Sequence, residues 1–491
     1  MVMIAAQQPD DGCYRRPPSL GYRRFTDRGT LMVEQAVATG RRVGRLSQNK
    51  LTDTYLAAFE ASGIKASELH AAVQPAVVGT NMEGRCLTRP GLLEREQIRQ
   101  LEADLETLYR CLTSLPDRLF GGDLAAFVVA TGVPRQQVDA IVRGRGSKPS
   151  RLSRADMYHD DTGFRVLEYN MSASLGGIDS STLSRAMMAQ PFVAQFAAEY
   201  NLGFIDTLVE AAETLKLECE IAPGTRPSVA FCDWPGSYPD LEAQLIKNTA
   251  NISKLGMDAF PCHLGHMRID DDSNVWVGDR HVDVIYRSFL IEDLLDPTGP
   301  ALIEPVLRAA ERGKVKIFSP MDAELYGSKG ALALLSDEAN RGVFDEQELE
   351  CLDRILPWTR MARPGPVTVD GKSVLLEDYV ISAREELILK PVMLHGGAGV
   401  VAGWQTSPEE WAGQVADAMD GEYVLQRRIY PHTELFPSDD GPTEWLLVWG
   451  AFLGARGYSG AFLRGGPAEA QNAVVNTLNG ATGSCCFQEL D

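Results

Sequence analysis

The stretch RADMYHDDTGFRVLEYNMSASLGG, from Arg154 to Gly177, constrains this chain more than any other. Residues alternate in character through SRADMYHD and again through FRVLEYN, and the DTG between them is a tight-turn signal. The pattern predicts an antiparallel hairpin. Such a hairpin sets Asp156 on one strand beside Glu168 and Asn170 on the other. Three oxygen donors from two strands form an open cage for a hard divalent cation. Mg2+ is held in this way when one or two carboxylates share it with phosphates and water. Arg154 shares the face of Asp156, where an always-charged planar fork suits a transferring phosphoryl group or a developing oxyanion. A solvated hairpin of alternating charge is the competing reading, and the paired Arg-x-Asp and Glu-x-Asn spacing favours the site.

A second stretch, ILKPVMLHGGAGVVAG, reads as strand, glycine loop and strand. Gly396, Gly397 and Gly399 let backbone N–H groups turn towards phosphate oxygens without a Cβ in the way. Lys390 adds a point charge for a phosphate. No Gly-Lys-Ser/Thr closes the loop, so it is not a Walker A motif. Alone it is as compatible with an ordinary hairpin, and the hairpin cage gives it weight.

Composition narrows the classes. Lys and Arg total 47 against 67 Asp and Glu, a net charge of −20. That surface repels phosphate backbones, which argues against general nucleic-acid binding but not against a local anion pocket. No run of about 18 apolar residues is present to span a membrane. The start MVMIAAQQPDDG lacks the pattern of a signal peptide. Nine cysteines lie scattered without a framework, and adjacent Cys485 and Cys486 are poorly placed to bridge each other. The expectation is a cytoplasmic protein with reduced thiols.

Four segments follow from the periodicities. Residues 1–150 read as mostly helical: Leu101, Leu105, Leu108 and Leu112 recur at helical spacing in LLEREQIRQLEADLETLYRCLTSL. The first thirty residues are expected to be poorly ordered in part. Residues 151–225 carry the hairpin and two helices. Residues 226–320 alternate strand, helix and strand, the texture of a small Rossmann-like α/β domain without the dinucleotide fingerprint. Residues 321–491 hold the GSKGALALLSDEAN helix, the glycine loop, a helix capped by Ser407 and the strand EYVLQRRI. The fold class is therefore α/β, or α+β.

Together the hairpin and the glycine loop resemble the motifs of ATP-grasp carboxylate–amine ligases. In that superfamily the lysine-and-glycine loop usually precedes the hairpin, and here it follows. The order resembles the circularly permuted branch that includes eukaryotic-type glutathione synthetases and glutathionylspermidine synthetases. VLEYNMSASLGGIDSST, VDVIYRSF, FSPMDAELYGSKGALALLSD and LPWTR are similar to landmarks of that branch. The resemblance covers about residues 154–464 and implies a circularly permuted ATP-grasp fold with a Rossmann-like substrate domain.

It further implies ATP and Mg2+ as cofactors, with Asp156, Glu168 and Asn170 as metal ligands. Lys329 and Lys390 would reach the phosphates, and Gly396, Gly397 and Gly399 would cover the γ-phosphate. Gln426, Arg427 and Ile429 would lie near the adenine hinge. Ser172 and Ser174 would meet the acyl donor, Arg287 would clamp its far carboxylate, and Arg154 would stabilise the tetrahedral intermediate. The partners implied are a small carboxylate and a small amine, with no nucleic acid or membrane. Relatives in this branch are often dimers, so a homodimer is compatible.

Two departures stand out. Glutathione synthetases carry an acidic metal ligand in the glycine loop, at a position here near Leu394 and His395. The C-terminal part, GAFLGARGYSGAFLRGGP through NGATGSCCF, lacks their lysine- and alanine-rich signature, which argues against glutathione as product. An ATP-dependent phosphotransferase and a catalytically silent nucleotide-binding scaffold are the alternatives to a ligase. Arg456 and Arg464 fit either an acceptor carboxylate or solvent. Cys262, His263 and His266, in PCHLGH, fit a strand-to-loop turn better than a zinc site.

Overall fold

The structure is a computed structural model, and it describes residues 45–78, 82–172, 174–394, 396–419, 421–470, 475 and 480–490. The expectation for the first thirty residues, and His395 of the glycine loop, lie outside the described residues.

The hairpin forms as the alternation requires, from strand Ser153–Asp160 and strand Gly163–Met171. Arg154 pairs with Asn170 and Asp156 with Glu168. The register then shifts, so that Met157 pairs with Val166 and Leu167 is left over as a bulge. Bulges bend a strand and re-aim its groups. This one has a use in the site below.

The hairpin is the edge of an eight-stranded sheet. Its neighbour is the long Thr443–Gly454 strand, followed by Gly457–Pro467, Thr482–Glu489 and Gly91–Leu93. Residues remote in sequence thus reach the hairpin. Gly450 pairs with both Asp156 and Phe462. A Cβ on Gly450 would stand 2.9 Å from Arg154 Cδ, so this position must be small for Arg154 to lie across the sheet.

One face of this sheet packs on helix Arg95–Thr113. Leu101, Leu105, Leu108 and Leu112 are all buried against Ala155, Met157, Val166 and Tyr169. Leu92 and Leu93, read from the sequence as part of that helical run, instead form strand Gly91–Leu93 beside Thr482–Glu489. The reciprocal cap between Glu94 and Gln97 starts the helix only after them.

Within 226–320, strands Lys316–Phe318, Val284–Arg287, Ser228–Asp233 and Asp258–His263 make an all-parallel sheet in that order. Helices Tyr238–Ser253 and Gly299–Glu311 provide crossovers. Further on, strands Thr359–Met361, Tyr423–Arg427, Leu387–Pro391 and Val401–Ala402 form an antiparallel sheet. Ser407 caps helix Pro408–Ala418 as expected, accepting from the Glu410 amide. The architecture is mixed α/β. Among the described residues no helix is long and apolar enough to cross a membrane.

Candidate active site

Three elements converge on one spot: the hairpin, the Leu387–Pro391 strand and the helix Lys329–Ser336. Lys390 follows Leu387, Ile388 and Leu389 in a buried run that continues through Val392, and its side chain is itself buried. Its ammonium donates to the carbonyl of Leu167 at 3.1 Å and to Gln426 Oε1 at 2.6 Å. Leu167 is the bulged residue, left without a partner in the hairpin register. Gln426 faces Ile388 across the sheet and donates through Nε2 to Thr359 Oγ1 at 3.2 Å. The bulge and the glutamine fix the lysine between them.

Lys329 enters from the other side, at the first turn of its helix, after Ser328 caps the end. Close approach explains the glycines around it. A Cβ on Gly327 would stand 2.7 Å from the Tyr169 carbonyl, and one on Gly330 would stand 2.1 Å from that of Thr131. The GSKG run therefore lets the helix press onto the hairpin backbone on one side and onto the Thr131 backbone on the other. Lys329 Nζ lies 3.6 Å from Glu168 Oε2 and donates to the Leu394 carbonyl of the glycine loop at 3.0 Å.

Electrostatics tie the three groups together. Burial alone would raise the proton affinity of Glu168, but the ammonium groups of Lys329 and Lys390 outweigh it and hold the carboxyl well below the usual range. Glu168 is therefore ionised at neutral pH. Burial pushes Lys390 down to about 8, opposed by attraction to Glu168 and assisted by repulsion from Lys329. Two cations flank one anion, a surplus of positive charge suited to phosphates.

Asp156 does not fit the metal-ligand role expected of it. Arg154 donates to it twice, Nε to Oδ1 at 2.6 Å and Nη2 to Oδ2 at 2.8 Å. Arg464 Nη2 adds a third contact to Oδ2 at 2.6 Å. Both carboxylate oxygens are engaged, and the side chain is buried. Asp156 is an organiser of arginines. Asn170 Nδ2 lies 3.4 Å from both Asp156 and Glu168. Glu168 and Asn170 remain as a hard oxygen pair, which matches Mg2+ shared with phosphates and water. Among the described residues no three His, Cys, Asp or Glu side chains converge as a metal cage, so the pair depends on such sharing.

Arg154 is present in the site but held: Nη1 donates to the Gly176 carbonyl at 2.6 Å besides the two bonds to Asp156. The sequence leaves Arg464 open between an acceptor carboxylate and solvent. It is buried, and its Nε has no hydrogen-bond partner. Only sheet pairing brings it to Asp156, so no local signal announces it. Arg456 pairs with Glu210 on the surface.

Arg287 does not fit a substrate clamp. It is fully buried; Nε donates to Ser319 O at 2.6 Å, and Nη1 donates to Phe289 O at 2.7 Å and Glu324 Oε1 at 2.5 Å. Its guanidinium anchors the end of the parallel sheet. Ser172 Oγ accepts from the Ser174 amide at 3.0 Å, and Ser174 Oγ donates to Ser288 O at 2.6 Å. The serines thus tie the hairpin exit to the parallel sheet.

Gly396, Gly397 and Gly399 all have positive φ, 65°, 78° and 69°, a backbone region that disfavours any other residue. Of the hinge candidates, Gln426 points at Lys390, Arg427 pairs with Asp370 at 2.9 Å, and Ile429 packs against the buried cluster of Tyr158 and Val448. The Arg427 amide already donates to the Trp358 carbonyl.

No family model matches the chain, and no curated protein matches it. Among solved structures it is similar to a glutathione synthetase-like effector from Globodera pallida in apo form. That match has a TM-score of 0.51 at 12% identity, covering 86% of this chain and 96% of the other. D-alanyl-alanine synthetase A from Vibrio cholerae O1 biovar eltor is a slighter match, with a TM-score of 0.25 at 11% identity over 51% of this chain and 73% of that one. At such identity the first likeness is one of fold.

Proposed function

We propose that this chain is an ATP-dependent carboxylate–amine ligase of the circularly permuted ATP-grasp type. One observation carries the reading: Lys329 and Lys390 flank Glu168 of an Arg-x-Asp, Glu-x-Asn hairpin, beside a loop of three left-handed glycines. The fold likeness to a glutathione synthetase-like protein supports it. The hairpin would be one part of the ATP-grasp unit, 321–491 the other, and the parallel sheet of 226–320 the Rossmann-like substrate part.

In this reading Glu168 and Asn170 hold Mg2+, which when bound neutralises phosphate charge. Lys390 and Lys329 bind the phosphate oxygens from two sides. A substrate carboxylate oxygen attacks the γ-phosphorus and ADP leaves, giving an acylphosphate. The amine nitrogen then attacks the acyl carbon, loses a proton, and expels phosphate. Arg154 faces the developing oxyanion with the N–H groups it has left, held in place by Asp156. The glycine loop closes over the intermediate and excludes water. Positioning and charge neutralisation supply most of the rate. The substrates are small amino acids or short peptides.

A carboxylate labelled with heavy oxygen tests the route. The proposal expects one labelled oxygen in the released phosphate, because that atom becomes the bridge of the acylphosphate. Label retained wholly in the organic product, or found in AMP, would overturn it.

A further inference from the structure

The turn end of the hairpin carries a second constellation, separate from the lysines and Glu168. His159 lies near the end of strand Ser153–Asp160, and the backbone amide of His432 donates to its carbonyl at 2.7 Å. This bond clamps the segment that follows strand Tyr423–Arg427 onto the hairpin. The two imidazole rings stand 5.4 Å apart between centroids, inclined at 58°. His432 Nε2 lies 2.9 Å from Asp161 Oδ1. A carboxylate oxygen only accepts, so Nε2 carries the proton. In the neutral ring Nδ1 is then a bare lone pair. It is buried and has no hydrogen-bond partner.

A buried polar atom without a partner is costly, and its persistence calls for an explanation. Here the far nitrogen of the same ring is held by a carboxylate, and a second imidazole stands alongside. That is the arrangement by which a carboxylate fixes the tautomer of a metal-binding histidine. We propose that His159 and His432 bind a divalent transition ion, zinc being the probe of choice, with Asp161 orienting His432. Imidazole selects zinc, copper or nickel over Mg2+, so this site is chemically distinct from the Glu168–Asn170 pair. Since no three His, Cys, Asp or Glu groups converge among the described residues, water completes the coordination. The ion joins the hairpin turn to the segment leaving the Tyr423–Arg427 strand.

The other histidine pair provides the contrast. His263 and His266 are closer, 3.5 Å between centroids, but their rings lie more nearly face to face, at 38°. His263 Nδ1 already accepts from the Gly265 amide at 3.0 Å.

The test is calorimetric titration of the full chain with Zn2+ alone, without nucleotide or Mg2+. One equivalent should bind, and His159→Ala or His432→Ala should abolish it. Asp161→Asn should weaken it about tenfold or more, as loss of an outer carboxylate does. His263→Ala and His266→Ala should leave it intact. Where an alanine variant does not fold, ring-nitrogen NMR of the unaltered protein decides. The proposal expects His432 protonated on Nε2 and its Nδ1 resonance moved by Zn2+. No Zn2+ binding, binding lost with His263 or His266 instead, or an Nδ1-protonated His432 would overturn it.

Discussion

The ammonium of Lys390 donates to the side-chain oxygen of Gln426 at 2.6 Å, and the same amide donates onward to Thr359. Gln426, expected near adenine, instead aims Lys390, which in the proposed reading binds the phosphates. Hydrogen bonds to charged groups are worth about 1.5–3 kcal/mol. Gln426→Leu should accordingly weaken nucleotide binding about tenfold or more, read by calorimetry, with the fold retained. An unchanged affinity would show that Leu167 alone positions the lysine.

Lys390 gives a pH dependence whose sign is fixed. Its folded value, about 8, lies below the ordinary lysine range. Above pH 8 the folded protein binds fewer protons here than the unfolded chain, so this group's contribution to stability rises with pH until the unfolded value is reached. Nucleotide binding runs the other way. Affinity should fall as pH rises through 8, and binding near pH 8 should take up a proton, visible as a buffer-dependent heat. Lys390→Met should remove both effects.

Asp156 and Glu168 face each other across the hairpin, yet their variants should differ in kind. Asp156→Ala leaves Arg154 and Arg464 buried without their anion, and breaking a buried pair costs about 3–5 kcal/mol. Urea denaturation should show this loss. Glu168→Gln should fold normally and lose nucleotide turnover.

Gly330→Ala tests the close approach of the Lys329 helix. The added Cβ would meet the Thr131 carbonyl, and overpacking of this sort costs about 1–3 kcal/mol. The variant should unfold at lower urea, and any activity left should show weaker nucleotide binding because Lys329 has moved.

Much of this was legible in the sequence because it is local. Alternation fixed the hairpin, helical spacing found Leu101 to Leu112, and glycines marked a loop whose backbone needs them. What failed to show was long-range. Arg464 reaches Asp156 through two intervening strand pairings, and no spacing encodes that. Arg287 was placed correctly at a strand end, but its partner Glu324 lies in another element, so its burial could not be seen. The bulge at Leu167 was likewise hidden, since it depends on register and not on residue type.

The central claim is tested most directly by a screen for ADP release. The full chain, with Mg2+ and ATP, is offered amino acids and short peptides singly and in pairs, and products are weighed by mass spectrometry. The account predicts ADP and phosphate only when a carboxylate and an amine are both present. The product mass should be their sum less one water, and Glu168→Gln should give none. A stable phosphorylated compound formed without any amine would contradict a ligase, and failure to turn over ATP under every condition would contradict catalysis at this site.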